Sequence, residues 1–553
     1  MRLYYWIILS FLAQSSFGQE ADTMQQELIP FYARGHQFYH LADRYDVQQR
    51  EFRNIHTAIR RLSLASLRSL ESNVETNSVS GIPHYPLLRK GFLSTFYKNP
   101  LRLFEVQTPA FKLGINLVAH FKGGRETEEG RTIFKNTRGI ELYGSLDDRL
   151  YFYSTYHENQ SNLLNYQQPF IDSNKSFRGY GNYKIYQSSV IQSFNGYDYG
   201  YAEAYLGYNL SKHSRLSLGH GNHFIGNGLR SLLLDDSGPN YFYLKLDVQV
   251  WKLHYQSIWA ELSTLPARLT PNNILLPKKY MASHYFSIKP RQNIELGFFE
   301  TIIFSRENQF ELQYLNPVIF YRTIELQLDS PDNVLLGLNF KWNLYKQFSF
   351  YSQFVLDEFN LGQLTSGNAW WGNKFGYQFG IKYFDVAGID RLDLQLETNT
   401  VRPYTYSHGQ KAIDAEDFSV ANFSHYGQPL AHPLGANFSE YLARLRYQPL
   451  DALVFELRYL HTIFGQNTSQ NFGADILIPN DSRISDTGIL QNQGARSTIN
   501  MLDFKASYEL TYNLFIDLQL LVRSDKNQVF DSVESRYFGV GFRYNYTERN
   551  IDY

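Results

Sequence analysis

Arg391-Leu392-Asp393-Leu394-Gln395-Leu396-Glu397-Thr398-Asn399 is the stretch that decides the fold. Leucine takes every second position up to Leu396, and Arg, Asp, Gln, Glu and Asn stand on the alternate ones. Successive side chains of a β-strand point to opposite faces, so this strand has one apolar face and one charged face. A charged face is costly against lipid or inside a dry core, but it suits a wet or polar lumen. The same period runs through 515–523, where Ile516, Leu518, Leu520 and Val522 alternate with Asp517, Gln519 and Arg523. It returns at 453–459, where Leu453, Phe455, Leu457 and Tyr459 flank Glu456 and Arg458.

Working outward from these, comparable segments fall near 111–121, 132–144, 148–157, 198–210, 213–221, 239–249, 250–263, 279–290 and 293–306. They continue near 332–342, 345–358, 373–384, 390–402, 436–448, 451–463, 497–510, 513–524 and 535–546, which makes eighteen. Their connections alternate in length. Those at 145–147, 211–212, 291–292, 448–450 and 511–512 are short, whereas 158–197, 222–238, 307–331, 403–435 and 464–496 are long. An even strand number, with short turns on one side and long loops on the other, is the rule of bacterial outer-membrane barrels. A β-sandwich has no reason to keep that alternation. The fold class is therefore all-β: a transmembrane antiparallel β-barrel of about eighteen strands.

Composition agrees. The 553 residues are 43% hydrophobic and 16% aromatic, with 43 Tyr and 42 Phe, yet mean hydropathy is -0.38. Beyond the first twenty residues no run is long and apolar enough for a membrane helix. Net charge is -1, which advertises no nucleic-acid partner. Cysteine is absent, which excludes disulfides, thiol catalysis and Cys-ligated metals.

The chain divides into three parts. Arg2, the apolar run 3–12 and Ser16-Phe17-Gly18 have the order of an export signal, with cleavage expected after Gly18. Residues 19–107 form an N-terminal segment. Within it Phe52, Ile55, Ile59 and Leu62, then Leu67, Leu70 and Val74, recur at helical spacing among several arginines, so 45–74 is expected to form a helix or helical hairpin. It would cap the periplasmic mouth, or dock a periplasmic partner. Residues 108–553 form the barrel. The last strand carries Phe538, Val540, Phe542, Tyr544 and Tyr546 on one face, and seven residues, Thr547 through Tyr553, follow it.

Enzymatic motifs are missing: no GxSxG, HExxH or GxxxxGK[ST] occurs. His220 with His223, and His36 with His40, have metal-pair spacing but no third ligand, and no metal or cofactor is expected. Gly219, Gly221, Gly226 and Gly228 make a glycine-rich run that opens no helix and lacks a phosphate-binding Lys; it reads as a tight loop needing positive φ. The long loops hold the candidate ligand groups. Arg230, Asp235 and Asp236 lie in 222–238, and Tyr321 and Arg322 in 307–331. Trp370 and Trp371 precede a predicted strand, Arg402 ends another, and Tyr404, Tyr406 and His408 follow it. Aromatic faces beside guanidinium and carboxylate groups suit a saccharide, by stacking and by paired hydrogen bonds. The alternative is that these side chains pack the loops into a plug or form the aromatic girdle.

Several runs carry a family resemblance: Ile225-Gly226-Asn227-Gly228-Leu229-Arg230-Ser231-Leu232-Leu233-Leu234, Tyr314-Leu315-Asn316-Pro317, Leu356-Asp357-Glu358-Phe359, Arg402-Pro403-Tyr404-Thr405-Tyr406-Ser407-His408 and His432-Pro433-Leu434-Gly435-Ala436-Asn437-Phe438. They resemble Bacteroidota outer-membrane proteins grouped with the Wzi-type capsule assembly family, some of them labelled gliding-motility proteins. The resemblance covers nearly all of the mature chain. It implies an eighteen-stranded barrel closed by periplasmic helices and a role in holding capsular polysaccharide. The expected partners are outer-membrane lipid or lipopolysaccharide, a surface polysaccharide, and a periplasmic or outer-membrane protein. Two functions stay open: a non-enzymatic polysaccharide-binding protein, and a porin or an accessory of secretion or gliding.

Overall fold

The structure, a computed structural model, describes residues 36–48, 56–60 and 103–553, apart from 148, 189–194, 265–276, 307–308, 410, 413–414, 512 and 550–551. The signal sequence, and 49–55 and 61–74 of the expected cap, lie outside the described residues. Eighteen long strands build the wall. They are β1 (Phe111–Glu126), β2 (Arg131–Leu146), β3 (Leu150–Ser161), β4 (Gly196–Asn209), β5 (Ser214–Gly221), β6 (Tyr241–Val250) and β7 (Leu253–Ser263). Next come β8 (Lys278–Arg291), β9 (Ile294–Phe304), β10 (Asn333–Leu344), β11 (Phe348–Glu358), β12 (Lys374–Tyr383) and β13 (Leu392–Val401). The last are β14 (Phe438–Leu450), β15 (Leu453–Gln466), β16 (Ala495–Thr511), β17 (Leu514–Asn527) and β18 (Val533–Tyr544). Each pairs antiparallel with its neighbours in chain order. β18 returns to β1 in the register Ala119↔Tyr544 to Glu126↔Tyr537, so the sheet has no free edge.

β1 runs five residues past its expected end at 121. The apolar alternation stops at Lys122-Gly123-Gly124-Arg125, but the backbone pairing does not. Gly124 is needed there because a Cβ would stand 2.3 Å from the Phe538 carbonyl and 2.5 Å from the Tyr537 ring.

The principal apolar core lies inside the lumen. Ile225, Leu232, Leu233 and Leu234, from the 222–240 connection, are fully buried with Tyr285, Phe299, Val355 and Phe438 of the wall and with Tyr406, Phe423 and Ile476 of other loops. Tyr285, Phe299, Gly337, Val355, Gly376, Val401 and Phe438 stand on one face of adjacent strands. Gly337 leaves room for the descending loop: a Cβ there would meet Leu233 Cδ2 at 2.4 Å. In the glycine-rich run, Gly226 alone takes a positive φ, of 153°. At Gly228 the need is space, since a Cβ would lie 2.6 Å from both the Arg230 carbonyl and Glu397 Oε2. Close approach, more than turn conformation, explains these glycines.

The N-terminal segment also enters the lumen, differently from expectation. The described helix, α1, is His36–Gln48. Ile59 and Arg60, expected within a helix, stand in a turn, and Ile59 forms an antiparallel bridge with Ile225. Ile59 itself is buried in the lumen core beside Ala58. After β18 the chain turns at Asn545, which has φ 49°, and Tyr546, Tyr553 and Asp552 lie back among lumen side chains.

Candidate functional site

The end of the barrel with short turns is closed by α1. Three lumen-facing lysines, Lys289 of β8, Lys341 of β10 and Lys382 of β12, are buried there. Asp43 and Asp46, one helical turn apart, meet them. Asp46 lies 2.8 Å from Lys341 and 3.2 Å from Lys289, and Asp43 lies 2.5 Å from Lys382. Burial pushes the Asp46 carboxyl up, but the two ammonium groups outweigh it and hold it well below the usual carboxylate range. Arg44 and His40 grip Asp393 at 2.8 and 2.7 Å, and burial drives the His40 pKa down to about 4. These contacts form an ion-paired latch on a polar wall.

At the end with long connections, several predicted saccharide residues are packed inward. Arg230 is buried, 2.8 Å from Asp552 and 3.6 Å from Glu440, and its backbone N–H donates to Glu397 at 3.1 Å. Asp235 is buried and accepts the Ser231 and Ser237 N–H groups at 2.9 and 2.8 Å; burial and neighbouring Asp236 raise its pKa. Asp236 is half-buried, and its carbonyl accepts from Asn222. Tyr404 and Tyr406 are buried, with φ of 66° and 71°, and donate to the carbonyls of Asn471 (2.8 Å) and Leu232 (2.7 Å). Such φ values in bulky residues are stored strain, held here by buried hydrogen bonds. His408 is half-buried, and burial, followed by the Lys374 charge, pushes its pKa to about 4.

Tyr321 and Arg322 are not at the mouth at all. They belong to a segment packed on the outer wall, where Tyr321 stacks on His284 of β8 at 4.0 Å. The long connection 305–332 thus departs from the expectation that every long loop roofs the barrel.

Trp370, Trp371, Arg402 and Arg483 form a half-buried patch where three connections meet. Trp370 and Trp371 are half-buried with centroids 5.8 Å apart. Arg483 lies 4.1 Å over the Trp371 ring and pairs with Asp486 at 2.6 Å. Arg402 donates to the Asn373 carbonyl at 2.8 Å, and burial lowers its pKa. The backbone links Ile489 N–H to Ala369 O and Trp371 N–H to Asp486 O, both 3.0 Å, lock the loops together. Arg483 and Asp486 were missed from the sequence because nothing in 464–496 marks them as neighbours of a tryptophan over a hundred residues earlier.

A second small pocket is lined by Phe170, Arg178, Gln428, Pro433 and Tyr553. Arg178 lies 3.7 Å over the Phe170 ring, and burial pushes its pKa down to about 9. The run Phe177-Arg178-Gly179-Tyr180-Gly181 was the signal that could have flagged it. Among the described residues no group of three or more His, Asp and Glu gathers as a metal site. His223 approaches Tyr241 Oη at 3.2 Å, and His40 is taken by Asp393.

The capsule assembly protein Wzi family matches residues 138–536. The chain is similar to the solved structure of Wzi from Escherichia coli, described as an outer-membrane protein involved in group 1 capsule assembly and a carbohydrate-binding β-barrel. The two share 13% identity over 91% of this chain and 98% of that one, with a TM-score of 0.53. OprD of Pseudomonas aeruginosa is a looser match, at 10% identity over 78% of this chain and 94% of that one with a TM-score of 0.43, and adds no weight. No curated protein matches the chain in sequence. The family match runs from β2 into β18, more than half of the chain, and so the chain belongs to the Wzi family of capsule assembly proteins.

Proposed function

We propose that this protein is a non-enzymatic outer-membrane barrel that holds capsular or related surface polysaccharide at its outer mouth. The observation that carries this reading is the half-exposed patch of Trp370, Trp371, Arg402 and Arg483, set on loops that are otherwise locked into a filled lumen. Indole faces stack on sugar C–H faces, guanidinium groups bond hydroxyls or carboxylates bidentately, and many weak contacts add along a polymer. A rigid platform suits that task, since its ligand groups are ordered before binding. Escherichia coli Wzi is described as carbohydrate-binding, which supports the same assignment here.

The porin reading is disfavoured by the lumen core and by α1, which occupy the path an aqueous channel needs. Roles in gliding or secretion remain compatible with a surface protein that grips polymer. The test is Trp370→Ala with Trp371→Ala in a capsulated strain. Cell-bound polymer should fall while the unboiled protein keeps its compact, heat-modifiable band. Full retention by a folded double variant would overturn the assignment of this patch.

A further inference from the structure

The outer wall of β7 to β9 carries polar residues where the neighbouring strands are apolar. Ser257, His284 and Glu300 lie side by side across β7, β8 and β9. The same row continues as Leu336, Leu356 and Phe375 on β10, β11 and β12. All three polar residues face away from the lumen, because their neighbours Tyr285 and Phe299 point into the core. All three are nevertheless buried, as are outward-facing Trp259, Ala282, Ile302 and Phe304.

Residues 309–332 bury them. Tyr314, Tyr321 and Ile324 pack on Trp259, Ala282, Ile302 and Phe304. Polar contacts pin the segment down: Trp259 Nε1 donates to the Tyr314 carbonyl at 2.9 Å, the Arg322 N–H donates to Glu300 at 3.1 Å, and Tyr255 donates to the Pro317 carbonyl. The chain therefore leaves β9, descends over the outside of the wall past mid-strand, and returns to β10. Its far face is mixed. Leu312 (72% exposed), Val318 (86%), Phe320 (60%) and Leu326 (65%) are interleaved with exposed Gln313, Arg322 and Gln327. That face is continuous below with Leu296 and Leu338, outward apolar residues of the wall.

We propose that residues 309–332 are a membrane-embedded flap whose outer face is a contact surface for acyl chains of the outer leaflet. In water, four large side chains so exposed would keep an apolar area that folding normally removes. Against acyl chains they cost nothing, while Arg322 and the glutamines reach the headgroup boundary, as in interfacial helices. The flap cannot be a casual visitor to the wall. Lifting it would present Ser257, His284 and Glu300 to hydrocarbon, where unsatisfied polar groups are expensive.

The absence of cysteine makes the test clean. Single-cysteine variants Val318→Cys, Phe320→Cys and Leu326→Cys would carry a nitroxide in proteoliposomes, with Leu338→Cys as the wall reference and Ser485→Cys as the aqueous one. Collision with oxygen, against a water-soluble nickel chelate, reads the surroundings. Flap labels that favour oxygen as Leu338→Cys does support the proposal, with Val318→Cys deeper than Leu326→Cys. Labels that follow Ser485→Cys overturn it. Spin–spin broadening that disappears on dilution with unlabelled protein also overturns it, by assigning the face to a second copy. Three positions are used so that one misfolded variant, recognised by loss of the heat-modifiable band, leaves the result decided by the others.

Discussion

Replacing Asp46 by Asn should loosen α1 without disturbing the wall. The carboxylate makes charge-assisted contacts with Lys341 at 2.8 Å and Lys289 at 3.2 Å, and accepts from Asn343 at 2.8 Å. An amide keeps the shape and one acceptor oxygen but loses the charge. A hydrogen bond to a charged group is worth about 1.5–3 kcal/mol. Both lysines keep a second acid, Asp43 at 3.3 Å from Lys341 and Glu295 at 3.9 Å from Lys289, which softens the loss. The net is roughly 3 kcal/mol, or about a hundredfold in the undocked population, at about 1.4 kcal/mol per decade. Undocking can be read with Ala42→Cys, buried against the lumen in a chain that has no other cysteine. Its maleimide labelling, when docking is fast relative to reaction, scales with the undocked fraction. Asp46→Asn should speed labelling about a hundredfold. A rate unchanged in Asp46→Asn, and still unchanged with Asp43→Asn added, would show that the lysine–carboxylate pairs do not hold the helix.

Acid should act on the same latch through His40. Undocked, His40 takes up a proton near its ordinary value of 6.5, whereas docked it does so only near 4; protons therefore favour the undocked state. Docking should weaken progressively as pH falls from about 6.5 to 4, by up to about 3 kcal/mol, seen as faster amide exchange of α1 after correction for intrinsic rates, and His40→Gln should flatten the dependence. For topology, single cysteines at Asp172 and Ser485 should react with an impermeant maleimide on intact cells, whereas one at Asp451 in the β14–β15 turn should react only after the outer membrane is opened.

The wall was legible because a strand is read locally: the period of two in 391–399 or 515–523 needs no partner to be seen, and the lengths of the connections supply the order. What fills the wall was not. α1 has a polar face because it docks on Lys289, Lys341 and Lys382, so its sequence, His36–Gln48, shows little of the apolar spacing that marks ordinary helices. Arg230 reads as a surface cation until Asp552, 322 positions away, is found beside it. Tyr314, Tyr321 and Ile324 of residues 309–332 look like any large loop side chains, since only the opposing Trp259 and His284 reveal which side of the wall they serve. The tryptophan pair could be named from sequence, but not the guanidinium of Arg483 that lies over it.

The apolar core inside the lumen has a consequence for how this protein can vary. Surface loops ordinarily vary more than the elements they connect, because little of the fold rests on them. Here Leu232, Leu233, Tyr406 and Phe423 lie on connections yet behave as interior residues, where deleting a large side chain costs about 2–5 kcal/mol. Their share of the outer face is fixed by packing. Drift is left to stretches such as the exposed helix Leu361–Thr365, which precedes the tryptophan patch. On the function proposed above, a lineage that changes its coat polymer would retune the rim of the tryptophan patch while the plug beneath it stays constant.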